Sequence, residues 1–258
     1  MQIITLTTDF GTRDWFVSTM KGVILGIAPR AVIVDITHEI PAGDVRAAAF
    51  ALAAACRFFP KGTVHVAVVD PGVGGARKAI AVQTAKYAFV GPDNGVLSWA
   101  LAKEKIKSVR QLENADYFLR PVSHTFHGRD IFAPVAANLA RGAAIRKLGP
   151  AQKDFVRLSW PQPRVERDHI EGEVAFIDRF GNAITNIENT SLNRRDRLEV
   201  FLRRKRICAV NDFYQSVPTG RVVAVPGSSG LLEIAVNGGS AAKRFGLKIC
   251  DRINICRC

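Results

Sequence analysis

"IITLTTDFGTRDWFVSTMKGVILGIAPRAVIVDIT", residues 3–37, decides the fold. "IITLTTD" (3–9) reads as a buried strand, "WFVSTMKGVILGI" (15–27) as a helix and "AVIVDIT" (31–37) as a second strand. "DVRAAAFALAAACRFF" (44–59) adds a helix with Asp44 at its N-cap, and "VHVAVVD" (64–70) a third strand. This βαβαβ order predicts a parallel sheet with helices on both faces. "KAIAVQTA" (78–85) and "YAFVGPD" (87–93) supply two more strands. "GVLSWALAKE" (95–104) and "DIFAPVAANLARG" (130–142) read as helices, the latter closed by Gly142.

The texture changes at "SWPQPRVERD" (159–168), where prolines and polar residues suggest a linker. Beyond it, "EGEVAFID", "NAITNI", "RLEVFL", "ICAVN", "RVVAVP" and "LLEIAVN" are strand-like and punctuated by Gly and Asn at hairpin spacing. One short helix, "SAAKRFG" (240–246), interrupts them. The expected organisation is an N-terminal parallel α/β domain over 1–158, a linker over 159–168 and a β-barrel or sandwich over 169–258.

Composition narrows the class. The 258 residues are 48% hydrophobic and 23% charged, enough to bury a real core. "MQIITLTTDFG" alternates as a strand does and does not read as a signal peptide. The most apolar stretch, "AAAFALAAACRFF" (47–59), is too short to span a bilayer, so a cytoplasmic protein without membrane contact is expected. Five scattered cysteines favour reduced thiols over a disulfide framework, and "CDRINICRC" (250–258) lacks the paired spacing of zinc modules. The net charge of +13 is spread over both halves, and its densest run, "RRKR" (203–206), reads as the charged edge of a strand pair. Specific nucleic-acid binding is not expected.

Ligands of open parallel sheets bind beyond the carboxyl ends of the strands. Three such ends are polar here: "TTDFGTRD", "DPGVGGARK" and "GPDNG", with Asp9 and Asp70 facing one crevice. "DPGVGG" (70–75) lacks a P-loop lysine and does not open a helix, so it reads as a tight turn that sets Asp70 and Arg77 beside that crevice. "HTFHGRD" (124–130) leaves more open. His127 is either a catalytic group or part of a polar capping turn, with Asp130 as the cap and Arg129 paired to it. A metal reading of His124 and His127 wants a further ligand, and none is near in sequence.

"TLTTDFGTRDWFVSTMKGVI", "VDPGVGGARKAI", "GPDNGVLS" and "FHGRDIFAPVAA", in this order, resemble the S-adenosylmethionine (SAM) hydroxide adenosyltransferases, or SAM hydrolases, relatives of the fluorinating and chlorinating SAM enzymes. "FIDRFGNAITNI", "FYQSVPTG" and "SSGLLEIAVNGGSAAKRFGL" match the family's C-terminal half. The resemblance implies a C-terminal β-barrel and a homotrimer with active sites between subunits. It implies hydrolysis of SAM to adenosine and methionine, with no metal or other cofactor. A halide-using adenosyl transferase and a SAM- or nucleoside-binding regulator are the alternatives. The matching catalytic set is Asp70, Arg77 and His127, which the halogenases lack, with His127 and Asp70 orienting and deprotonating water. Asp9 matches the carboxylate that grips the ribose hydroxyls. Asp178 and Ser228 match groups around the methionine end, where Ser229 stands in place of the halogenases' arginine. Phe180, Asn182, Tyr214, Glu233 and Val236 match the nucleoside wall. His124 is expected to be structural.

Overall fold

A computed structural model describes residues 2–192 and 197–257. Cys258, one of the five cysteines, lies outside the described residues. The chain divides into two compact units, Met1–Ser159 and Trp160–Cys258.

The first unit is a three-layer sandwich. Its elements in order are β1 (Gln2–Thr8), α1 (Phe16–Ile27), β2 (Ala31–Thr37), α2 (Val45–Cys56), β3 (Val64–Val68), β4 (Ala79–Thr84), β5 (Ala88–Pro92), α3 (Ser98–Leu101), β6 (Ile106–Gln111) and α4 (Ala133–Ala140). The sheet order is β2-β1-β3-β5-β4-β6. β2, β1, β3 and β5 pair in parallel, as the βαβαβ pattern predicts. β4 runs against both its neighbours, so the sheet is mixed. The reason is local: only Ala85 to Tyr87 separate β4 from β5, too few residues for a crossover.

Alternation along the strands divides the core. Ile4, Leu6, Val64, Val66 and Val68 face Met20 and Ile24 of α1 and Val135 and Ala136 of α4. Ala67, Val69, Ile80, Val82 and Phe89 meet Ala48 and Leu52 of α2 and the α3 region on the other face. Asp44 caps α2 as expected, its carboxylate accepting the Ala47 N–H at 2.9 Å. Gly142, at φ 96°, follows the end of α4. The helix expected over 95–104 contracts to the four residues of α3, and β6 is an additional edge strand.

The second unit contains β7 (Arg164–Val165), β8 (His169–Ile177), β9 (Ala183–Glu188), β10 (Leu198–Leu202), β11 (Lys205–Ala209), β12 (Val222–Pro226), β13 (Leu231–Val236), α5 (Ala241–Phe245) and β14 (Arg252–Arg257). β7, paired to β8, falls in the segment expected as linker. The strands follow the order β11-β10-β14-β8-β9-β13-β12. A Val210–Ala224 bridge joins the two ends, giving a nearly closed, mostly antiparallel barrel. Its centre is filled by Val174, Val200, Leu232, Ile234 and Ile253. The basic run is not an exposed strand edge throughout. Arg203 and Arg204, at φ 50° and 64°, form the two-residue turn between β10 and β11, and Arg206 pairs with Glu199 at 2.7 Å. Among the described residues, no helix is long and apolar enough to cross a membrane.

One core residue makes stability depend on pH. His65 is fully buried among Phe59, Tyr87 and Phe89, and its Nδ1 lies 2.8 Å from the Thr5 hydroxyl. Burial pushes its pKa down to about 4. An unfolded chain takes up this proton near pH 6.5, whereas the native protein refuses it until about 4. Stability is therefore complete above pH 6.5 and is lost as pH falls toward 4, by about 3 kcal/mol from this residue. In urea titrations between pH 4.5 and 7, His65→Leu should show a shallower loss than wild type; parallel curves would refute the assignment.

Candidate active site

The carboxyl ends of the parallel strands carry a cavity of about 390 Å³. Asp9, from the end of β1, and Asp70, from the end of β3, both line it, together with His127 and Gly43. Phe10, Phe16 and Phe126 form an aromatic cluster in its wall, with ring centroids 5.2–5.8 Å apart. The two aspartates meet because parallel neighbours end on the same side of the sheet.

Asp70, Arg77 and His127 form one hydrogen-bonded chain. Arg77 Nε donates to both Asp70 carboxylate oxygens at 2.9 Å, and its Nη2 also contacts Asp70 Oδ2. The same Nη2 lies 2.6 Å from His127 Nδ1. Only 5% of the Asp70 side chain and 12% of the Arg77 side chain reach solvent, so the ion pair is held away from water. A guanidinium has donors and no acceptor, so Nδ1 must present a lone pair. The neutral ring then carries its proton on Nε2. Burial and, after it, the Arg77 charge lower the His127 pKa, against the opposing pull of Asp70 and Asp130. The ring is a neutral Nε2–H donor near pH 7.

Two backbone features assemble this chain. Gly74 has φ 75°, and a Cβ there would lie 2.2 Å from the His124 carbonyl oxygen. The turn after β3 thus touches the segment before α4 backbone to backbone, a contact only glycine permits. Past His127, residues Gly128–Phe132 form a single π turn leading into α4. Asp130 does not cap this helix as expected. It is fully buried inside the π turn, where it accepts the Ser123 N–H at 2.8 Å and pairs with Arg129 at 2.6 Å. The expected Arg129 pairing is present, and its work is to hold the loop before His127. His124 is exposed.

Asp9 accepts the Gly43 N–H at 2.8 Å through Oδ2. Gly43 and the aromatic cluster were not legible as site residues; the one signal for Gly43 was its place beside the Asp44 cap. At the third polar strand end, Asn94 has a structural task. Its side chain donates to the Val69 carbonyl and accepts the Val96 N–H.

A second polar cluster stands on the barrel unit. Asp178 accepts from the Asn182 backbone and side-chain N–H groups at 2.8 and 3.0 Å. Tyr214 donates to Glu233 Oε2 at 2.6 Å. Burial raises the Glu233 pKa, as does the nearby Asp178 charge, against the lowering effect of the Tyr214 bond. Gly227 lies so close to Glu233 that a Cβ would meet Oε1 at 2.1 Å, and Ser228 is next in the chain. Phe180, at the tip of the β8–β9 loop, is 76% exposed. Val236 is instead buried in the barrel core. Among the described residues, no three His, Cys, Asp or Glu side chains converge to hold a metal ion.

A cavity at the carboxyl ends of the parallel strands with a carboxylate–guanidinium–imidazole chain, in a unit followed along the chain by a β-barrel, defines an α/β enzyme. The chain belongs to the SAM hydroxide adenosyltransferase family. The model of that family's N-terminal domain matches residues 4–149, and the model of its C-terminal domain matches residues 172–254. The chain is 41% identical to the (R)-S-adenosyl-L-methionine hydrolase of Salinispora tropica over 98% of its own length and 97% of the relative's. A fluorinase of an Actinoplanes species is more distant, 29% identical over 74% of each chain. The crystal structure of an uncharacterized conserved protein from Thermotoga maritima superposes with a TM-score of 0.93, at 41% identity, over 98% of this chain and 100% of that one.

Gly74→Ala should separate the two loops. The clash and the positive φ together should cost about 1–3 kcal/mol of stability. An NMR titration should find the His127 pKa raised toward that of a free histidine as Arg77 moves away. An unchanged titration would show that the backbone contact does not hold the chain together.

Proposed function

We propose that the protein hydrolyses SAM to adenosine and L-methionine. The observation that carries this reading is Arg77, which binds Asp70 and His127 at once, two residues that line the same cavity as Asp9. The hydrolase name of the Salinispora tropica relative supports it, and also supports a preference for the (R)-sulfonium epimer.

In the proposed step a water oxygen attacks C5′ of the ribose. The C5′–S bond breaks, its electron pair goes to sulfur, and methionine leaves as a neutral thioether. No acid is needed for that departure, and SAM and water alone balance the reaction. His127, with its proton on Nε2, orients the water by donation. Asp70 accepts the water proton, and Arg77 steadies the oxygen's developing charge. Asp9, with one oxygen fixed by Gly43, grips the ribose hydroxyls with its carboxylate.

The ligand is held, in this reading, between subunits of a cytoplasmic homotrimer, where the barrel unit of one chain serves the cavity of another. Asp178 and Ser228 take the methionine end, and Phe180, Asn182, Tyr214 and Glu233 the nucleoside. The exposed rings of Phe180 and Phe213 beside the polar cluster support such an apposition. Light scattering should give a trimer; an active monomer would reject it.

Incubation with SAM and mass analysis should yield adenosine and methionine, and added chloride or fluoride should yield no halogenated nucleoside. Asp70→Ala and His127→Ala should each lower kcat by about 10²–10⁴-fold, since they act on water. Asp9→Ala should chiefly raise KM. Near-native turnover by His127→Ala would sink the water-activation role.

A further inference from the structure

Behind the Asp9 loop lies a buried histidine that the proposed reaction does not use. β1 and β2 keep parallel register from Gln2↔Ala31 to Leu6↔Asp35, and then Thr7 pairs with Thr37. The skipped residue, Ile36, is a bulge in β2, and bulges re-aim the side chains that follow. His38 comes next after the strand and is 4% exposed. Its Nδ1 lies 2.8 Å from the Thr8 hydroxyl, which accepts the Phe10 N–H at 3.2 Å. Its carbonyl accepts the Gly11 N–H at 2.7 Å. Its Nε2 lies 3.1 Å from Asp35 Oδ1. Asp35 Oδ2 takes Lys21 of α1 at 2.6 Å.

The donors fall into one order. The Asp35 carboxylate, held by Lys21, only accepts, so the proton of the neutral His38 ring resides on the Nε2 that lies beside it. Nδ1 is then left as the acceptor of the Thr8 hydroxyl proton. The sequence carboxylate, imidazole, hydroxyl matches that of a nucleophilic triad. Thr8 is fully buried, however, and a hydroxyl with no access to substrate attacks nothing.

We propose that His38 is a positioning residue. Through the Thr8 hydroxyl and through its own carbonyl it fixes the amides of Phe10 and Gly11, which follow Asp9 directly. Gly43 secures one Asp9 oxygen from the front, and His38 secures the backbone from behind. The consequence for turnover rests on Asp9 being the ribose clamp proposed above; the consequence for the loop does not.

His38→Ala and Thr8→Val, the latter preserving volume, should each raise KM for SAM about tenfold, the size of one lost buried hydrogen bond, with kcat nearly unchanged. The double variant should be no worse than either single one, because both break the same link. His38→Asn, whose Oδ1 replaces the Nδ1 acceptor, should recover a near-wild-type KM. Hydrogen exchange read by mass spectrometry should quicken in a peptide spanning 8–12 for both single variants and not in one spanning 70–77. A loss confined to kcat, additive losses, or unchanged exchange at 8–12 would overturn the proposal. If wild type does not convert SAM, the reading of the reaction fails and the exchange result alone decides the role of His38. Should His38→Ala not fold, Thr8→Val and His38→Asn carry the same comparison.

Discussion

A guanidinium only donates, and the site depends on that restriction. Arg77 spends its donors on two acceptors of different kinds, the Asp70 carboxylate and the His127 ring nitrogen. The carboxylate keeps the cation fixed, and the cation in turn dictates which ring nitrogen of His127 holds the proton. One side chain thereby sets the orientation of a base and the tautomer of a donor. A lysine at the same position has no planar fork to serve both. Because the pair is nearly dry, removing either partner leaves a buried charge without compensation.

Everything around Arg77 serves to bring its two partners within reach. Asp70 and His127 are 57 positions apart and belong to different loops. The turn after β3 crosses to the second loop at Gly74, where the absence of a Cβ lets two backbones touch. The second loop is held by the buried Asp130, which ties Ser123 and Arg129 to the π turn. Wider π geometry at the head of α4 places Gly128 against Phe126, Met20 and Phe10, where a Cβ would press on their side chains at 3.1–3.3 Å. These are close approaches, and they explain why glycines stand where catalytic side chains converge.

The fold was legible to the extent that it follows from periodicity and connection length. The βαβαβ order, the Asp44 cap and the run of hairpin strands in the second half are all local patterns. The reversed β4 was also implicit in a short connection, although apolar alternation does not reveal strand direction. The contraction of α3 and the edge strand β6 were not legible, because short amphipathic stretches satisfy either period. The reading of Asp130 went astray for a related reason. An acidic residue before an apolar run resembles a cap, and only the tertiary structure shows its carboxylate turned inward on Ser123.

By itself, then, the sequence determined the layers, the positions of the polar strand ends and the family that its ordered motifs resemble. Those properties are carried by residues near one another in the chain. Tertiary structure decided which polar groups meet. It set Arg77 between Asp70 and His127, assigned the His127 proton to Nε2, and put the Ile36 bulge where His38 turns to Thr8. Such contacts join residues dozens of positions apart through distances of about 3 Å. No local pattern specifies a separation of that size, because it is the sum of every strand register, turn and glycine approach between the two ends.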